Sequence, residues 1–194
     1  MFLSFDTETS GLIDFQKPFA DPCQPFIVSV SAILFDDDGT ELHTVYAIID
    51  PEGREIPAES TKVHKITTAL AKKCGLPFDT VYLMIRHLAD QADRIYAFNE
   101  GFDRSMFEIE CYKRYGTNSV FEDQRAKIRC AMLHMAGLMK IPGQYGDYRW
   151  PKLTAAYEWY FGVSMAEGAH NALVDTRNMG YIMGDMHKNG TQPK

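Results

Sequence analysis

The 194-residue chain is 45% hydrophobic, 24% charged and 12% aromatic. These values fit one globular domain or at most two small ones, and argue against collagen-like, wholly disordered and membrane-spanning classes. Its 20 Lys+Arg against 26 Asp+Glu give a net charge of −6, which argues against a protein that coats nucleic acid through a broad basic surface.

The opening MFLSFDTETS lacks a basic leader region, so no secretory signal is expected. Cys23, Cys74, Cys111 and Cys130 form no CxxC pair, so neither a zinc site nor a disulfide framework is expected and a reducing cytoplasm fits best.

Phe2 to Phe5 is a short apolar run that stops at Asp6, which reads as a buried strand with functional groups at its end. Ser10 to Pro25 holds Pro18, Pro22 and Pro25 with little periodicity and reads as a long surface loop. Phe26 to Phe35 is too short to cross a membrane. With Glu41 to Ile49 it flanks Asp38-Gly39, a hairpin signal, so three strands precede any helix.

From Pro57 one or two short helical turns are expected. Val81, Met84, Ile85, Leu88 and Ala92 then fall on one apolar helical face. A strand at Arg94 to Phe98 and a helix at Gly101 to Tyr115 follow. Lys127 to Cys130 reads as a fifth strand, Ala131 to Met139 as a helix and Ile141 to Arg149 as a glycine-containing loop. Pro151 suits the first turn of a helix reaching Tyr160, and the last helix covers about Asn171 to His187. Strands first and alternating elements afterwards predict an α/β protein with a mixed sheet flanked by helices. The chain reads as one domain, residues 1–194, with 189–194 frayed.

Three motifs carry chemistry. Asp6 and Glu8 are two apart, so strand alternation puts both carboxylates on one face. Such like charges are tolerable when solvated or when a cation sits between them. In FNEGFD, Phe98 to Asp103, a helix start holds Asp103, where an acid also serves simply to stabilise the helix. In HNALVD, His170 and Asp175 are five apart and cannot share one helical face. His170 is therefore placed on the loop GAH before the helix and Asp175 on its second turn. Each motif alone reads equally well as ordinary surface charge. Together they supply four carboxylates, suited to two divalent ions, and a base suited to deprotonating water.

FDTETSGL, FNEGFD and HNALVD, in this order and at these intervals, resemble the DEDDh branch of 3′→5′ exonucleases, the DnaQ-like and RNase T-like enzymes. The likeness covers nearly the whole chain. It implies a ribonuclease H-like five-stranded sheet, three antiparallel strands first and parallel ones after. It implies that Asp6, Glu8, Asp103 and Asp175 bind two Mg²⁺ or Mn²⁺ ions and that His170 is the general base. Thr9, Ser10, Gly11 and Leu12 match the segment against the 3′-terminal nucleotide, with Leu12 and Phe102 against its base and Asn99 supporting the substrate or Asp103. His64-Lys65-Ile66-Thr67 stands where the family often has His-Gly-Ile-Thr, and Cys130-Ala131 where an Asp-Thr pair is frequent.

The expected activity is release of nucleoside 5′-monophosphates from the 3′ ends of single-stranded nucleic acid, DNA ahead of RNA. An RNA-trimming or oligoribonuclease-type enzyme is the alternative, and a non-catalytic end-binding or polymerase-accessory module the reading of another class. A polymerase or other replication or repair partner is compatible with the sequence. Two divalent ions would leave a formal charge of about −2, which suits a local grip on short or single-stranded ends. His43, His87, His134 and His187 read as ordinary surface or hydrogen-bonded histidines. Tyr157, Tyr160 and Phe161 have helical spacing and read as core, whereas Tyr145, Tyr148 and Arg149, in a loop, are candidates for contact with substrate.

Overall fold

The computed structural model describes residues 1–117, 120–165, 170–191 and 193. Gly168 and Ala169 of the expected loop before His170 lie outside the described residues, as do Gln192 and Lys194 of the tail. Strands β1 (Phe2–Thr9), β2 (Ile27–Phe35) and β3 (Glu41–Ile48) come first. Helices α1 (Ala58–His64), α2 (Thr68–Cys74) and α3 (Phe78–Gln91) follow, then β4 (Arg94–Ala97) and α4 (Glu100–Tyr115). The short α5 (Val120–Asp123) and a 3₁₀ turn (Arg125–Lys127) lead to β5 (Ile128–Cys130), α6 (Ala131–Met139), α7 (Leu153–Phe161) and α8 (Ala172–Lys188).

The sheet order is β3-β2-β1-β4-β5. β1 pairs antiparallel with β2 and parallel with β4, and β4 pairs parallel with β5. This is the mixed ribonuclease H-like sheet with flanking helices. Because β1 and β4 run the same way, the motifs at their C-terminal ends emerge at one edge of the sheet. β1 continues through Asp6 and Glu8 to Thr9, so the first motif is strand and not a loop beyond it. A register irregularity between Glu8 and Thr9 ends the regular pairing with β2, a bulge of the sort that re-aims side chains.

Alternation along β1 separates two cores. Leu3 and Phe5 face α3 and α4, where Phe5 stacks on Phe121 with ring centroids 4.5 Å apart. Phe2 faces α8 and stacks on Phe35 at 5.0 Å. Burial of each such ring contributes on the order of 1.5–3 kcal/mol.

α8 lies close on the sheet because two of its positions lack a Cβ. A Cβ on Gly180 would come within 2.3 Å of the Phe35 ring, and one on Gly184 within 2.7 Å of the Gly39 Cα. Ser4 Oγ donates to the Thr176 carbonyl at 2.9 Å, and the Arg177 guanidinium grips both Glu41 carboxylate oxygens.

Several expectations need correction. Met84 is 46% exposed, because the buried stripe of α3 runs through Phe78, Val81, Ile85, Leu88 and Ala89. Pro151 stands before α7, whose N-cap is Lys152. Thr191, in the tail, is bonded: its N–H donates to the Met186 carbonyl and its carbonyl lies 2.8 Å from His134 Nε2. Tyr157 and Tyr160 pack on the second core, but Phe161, expected there with them, is exposed at the end of α7. Among the described residues, no helix is long and apolar enough to cross a membrane.

Candidate active site

Asp6, Glu8 and Asp175 meet at the C-terminal edge of β1. One carboxylate oxygen from each lies within 4.8 Å of the others. Asp6 and Glu8 share a face by alternation, and the same face carries α8. Asp175 reaches them from the first turn of α8, not the second. That turn is fixed by Asn171, whose Oδ1 accepts the Leu173 and Val174 N–H groups at 3.1 and 3.3 Å, an N-cap worth about 1 kcal/mol.

Asp103 approaches from the other side of the sheet, on the first turn of α4. Its Oδ1 accepts the Thr7 hydroxyl at 2.7 Å and the Thr7 N–H at 3.1 Å. Thr7 points away from Asp6 and Glu8, so one tripeptide presents two acids on one face and a clamp for a third on the other. Sequence reading passed over this threonine; its odd register between two acids is the signal that would have found it.

Burial raises the pKa of all four acids. Burial, and then the charges of Asp103, Asp175 and Glu8, push Asp6 well above the usual carboxylate range. Burial, with Asp175 and Asp103, pushes Glu8 up to about 8. Burial raises Asp103 to about 7 against the pull of the Thr7 bonds. Asp175 is raised by burial, offset in part by the His170 N–H and the His170 side-chain charge. The donors are all hard carboxylate oxygens, the set that suits Mg²⁺ or Mn²⁺.

On β2, Ser31 pairs with Asp6 and Ser29 with Glu8, so small buried hydroxyl residues stand opposite the acids where the rest of β2 is mostly larger apolar residues.

His170 stands just before α8 with φ +66°, a left-handed conformation uncommon outside glycine. Its N–H donates to Asp175 Oδ2 at 3.0 Å, and the residue is exposed to solvent. The loop placement and the acid five residues on are thus joined by a direct bond.

A cleft of about 350 Å³ opens beside Glu8, lined also by Thr9, Gly11, Leu12, Val63 and His64. Leu12 is 86% exposed. Thr9 Oγ1 donates to the Gly11 carbonyl and Ser10 Oγ accepts the Phe26 N–H, which fixes this segment as a shaped wall. His64 is buried; its Nδ1 accepts the Ile66 N–H at 3.1 Å and burial holds its pKa below the ordinary imidazole value. Asn99 is the N-cap residue of α4 without a side-chain cap bond, its carbonyl accepting the Phe102 and Asp103 N–H groups, and Phe102 packs on the first core. His43, His87, His134 and His187 lie outside this constellation; the His187 Nε2, for example, is 2.9 Å from the Tyr96 hydroxyl at the opposite end of α8.

No protein-family model matches the chain. Over 191 residues, 95% of this chain and 87% of the relative, it is 29% identical to an uncharacterized exonuclease, CP81, of Escherichia phage 186. Its fold is similar to that of the nuclease domain of 3′hExo, a DEDDh family member bound to rAMP, with TM-score 0.66 and 14% identity over 100% of this chain and 94% of that one. It is also similar to exonuclease X in complex with 5′ overhanging duplex DNA, with TM-score 0.62 and 19% identity over 98% and 93%. The chain spans 62% of the length of a full-length 3′-exonuclease and 40% of E. coli exonuclease I bound to a dA16 oligonucleotide. The chain thus shares its fold with these nucleases over nearly its whole length, is similar in sequence to a phage exonuclease, and gathers Asp6, Glu8 and Asp175 at the edge of β1.

Proposed function

We propose that the chain, acting as one catalytic domain, removes nucleotides from the 3′ ends of single-stranded nucleic acid, DNA in preference to RNA, as nucleoside 5′-monophosphates. The observation that carries this reading is the convergence of Asp6, Glu8 and Asp175 within 4.8 Å, with Glu8 lining an open cleft.

Asp6, Glu8, Asp103 and Asp175 would hold two Mg²⁺ or Mn²⁺ ions, which when bound would supply positive charge to offset the charge that builds on the scissile phosphate. His170 would serve as the general base that takes the proton from the attacking water. Its N–H bond to Asp175 ties the base to the acid cluster. Thr9, Gly11 and Leu12 line the cleft and Ser10 braces them through its bond to Phe26; this segment would receive the terminal nucleotide, with Leu12 and Phe102 against its base and Asn99 supporting the substrate or Asp103. A histidine bonded to Asp175 of the acid cluster favours an enzyme over a passive end-binding module, since binding alone requires no base.

All four cysteines are free thiols, which suits a reducing, cytoplasmic setting. The test is a product assay on single strands labelled at the 5′ end, DNA and RNA in parallel, with Mg²⁺ and Mn²⁺. A ladder shortening from the 3′ end, faster on DNA, supports the proposal. A faster RNA ladder moves the enzyme to RNA-end trimming, and no shortening of either strand overturns it.

A further inference from the structure

The segment between α6 and α7 takes no part in the reading above, yet it is a built structure. Pro142 and Tyr148 form an antiparallel bridge, the Gly143 N–H donates to the Asp147 carbonyl and the Arg149 N–H to the Ile141 carbonyl, both at 2.8 Å. The hairpin turns through Gly146 at φ +83°, and a Cβ on Gly143 would meet Asp147 Oδ1 at 2.3 Å. Its aromatic rings nevertheless face solvent: Tyr145 is 87% and Trp150 63% exposed, with Tyr148 exposed beside them. Three large rings left in water within six residues are more than scattered surface apolarity, and mark a contact surface.

Charge identifies the occupant. Lys140, Arg149 and Lys152 bracket the rings against a single acid, Asp147, in a chain whose net charge is −6. Among the described residues, none of these three cations is in an ion pair. Aromatic faces interleaved with free cations match stacked bases and phosphates.

The hairpin also emerges at the working end of the molecule. It leads directly into α7, where Leu153 packs on the same core as Phe98 and Leu173, neighbours of the second and third motifs. α7 then runs alongside α8 to the far end, where the Tyr160 hydroxyl donates to Asp185 at 2.8 Å. The start of α7 therefore lies toward the end of α8 that carries Asp175.

We propose that this hairpin is a stacking platform for single-stranded nucleic acid on the 5′ side of the terminal nucleotide, a claim that rests on the exonuclease reading for its direction. Tyr145 and Trp150 stack on bases without reading sequence, and Arg149 holds a phosphate. The platform makes binding depend on strand length.

The test is fluorescence anisotropy, in EDTA so that no strand is cut, with thymidine oligomers of 4 and 16 nucleotides. The wild type is expected to hold the 16-mer more tightly. Tyr145→Ala with Trp150→Ala should weaken the 16-mer about tenfold or more while moving the 4-mer less than twofold. Tyr145→Ser alone, at a fully solvated position, should show part of the loss if the double variant fails to fold. Arg149→Gln should lower the salt slope for the 16-mer by about 0.7. Equal losses for both lengths, or no loss for either, overturn the platform. Loss of self-association in the variants with unchanged 16-mer binding assigns the hairpin to a protein contact and also overturns it. Hairpin-dependent binding by a protein that cuts nothing would remove the exonuclease reading and leave the platform standing, whereas active enzyme whose length preference survives the variants would do the reverse.

Discussion

Both polar donors of Thr7 converge on one oxygen of Asp103, the hydroxyl at 2.7 Å and the backbone N–H at 3.1 Å. The bond crosses from β1 to α4 and fixes the acid that arrives from the far side of the sheet. Thr7→Val keeps the shape and removes the hydroxyl. It should weaken Mn²⁺ binding by about 10- to 100-fold, the usual effect of losing a bond that orients a ligand. Thr7→Ser should restore most of it. Calorimetric titration of the two variants with Mn²⁺ checks the pair.

His170→Ala removes the proposed base and keeps the carboxylates. Turnover should fall about 10²- to 10⁴-fold, while the affinity for a single-stranded 3′ end measured in EDTA changes little. A turnover close to wild type would take His170 out of the mechanism.

The raised acids make the metal-free protein sensitive to pH. Asp6, Glu8 and Asp103 all bind protons more tightly folded than unfolded, Glu8 at about 8 and Asp103 at about 7. Their contribution to stability is therefore full below the unfolded carboxylate range near pH 4 and is lost as pH rises through 7 and 8. Thermal melts in EDTA should show the Tm falling from pH 5 to pH 9, and Mg²⁺ should raise the Tm more at pH 8 than at pH 5. Asp6→Asn removes one repelling charge and should raise the metal-free Tm at pH 8, by about 2–4 °C per kcal/mol relieved, while losing activity. A flat Tm profile in EDTA would contradict the electrostatic account.

Gly184 lets α8 approach the β2–β3 turn. Gly184→Ala puts a methyl within 2.7 Å of the Gly39 Cα, backbone that cannot rotate away. Overpacking of this kind costs about 1–3 kcal/mol, and chemical denaturation should show that loss with an unchanged slope.

Much of this site was legible from the sequence because it is built on strand alternation and helix starts, which are local rules. Asp6 and Glu8 share a face by alternation, and the HNALVD spacing forced His170 off the helix, as its left-handed backbone shows. Three-dimensional pairing was not legible. That Ser29 and Ser31 face the acids follows from the β1–β2 register, and the Thr7–Asp103 bond from a contact 96 residues apart. Met84 misled because helical spacing fixes a stripe only to within one position, and the buried stripe of α3 takes in Phe78 and Ala89 instead. Nothing local announces that Thr191 bonds to both α6 and α8.

The central claim is that the acids at the edge of β1 make this chain a metal-dependent exonuclease acting from the 3′ end. The most direct measurement is release of label from a 3′-labelled single strand by wild type and by Asp6→Ala, each with and without Mg²⁺, with folding of both proteins checked by circular dichroism. The account predicts prompt release of nucleoside 5′-monophosphate by wild type with Mg²⁺ only, and a loss of at least about a thousandfold in the variant. Equal release by the folded Asp6→Ala protein, or release by wild type that ignores the metal, would contradict it.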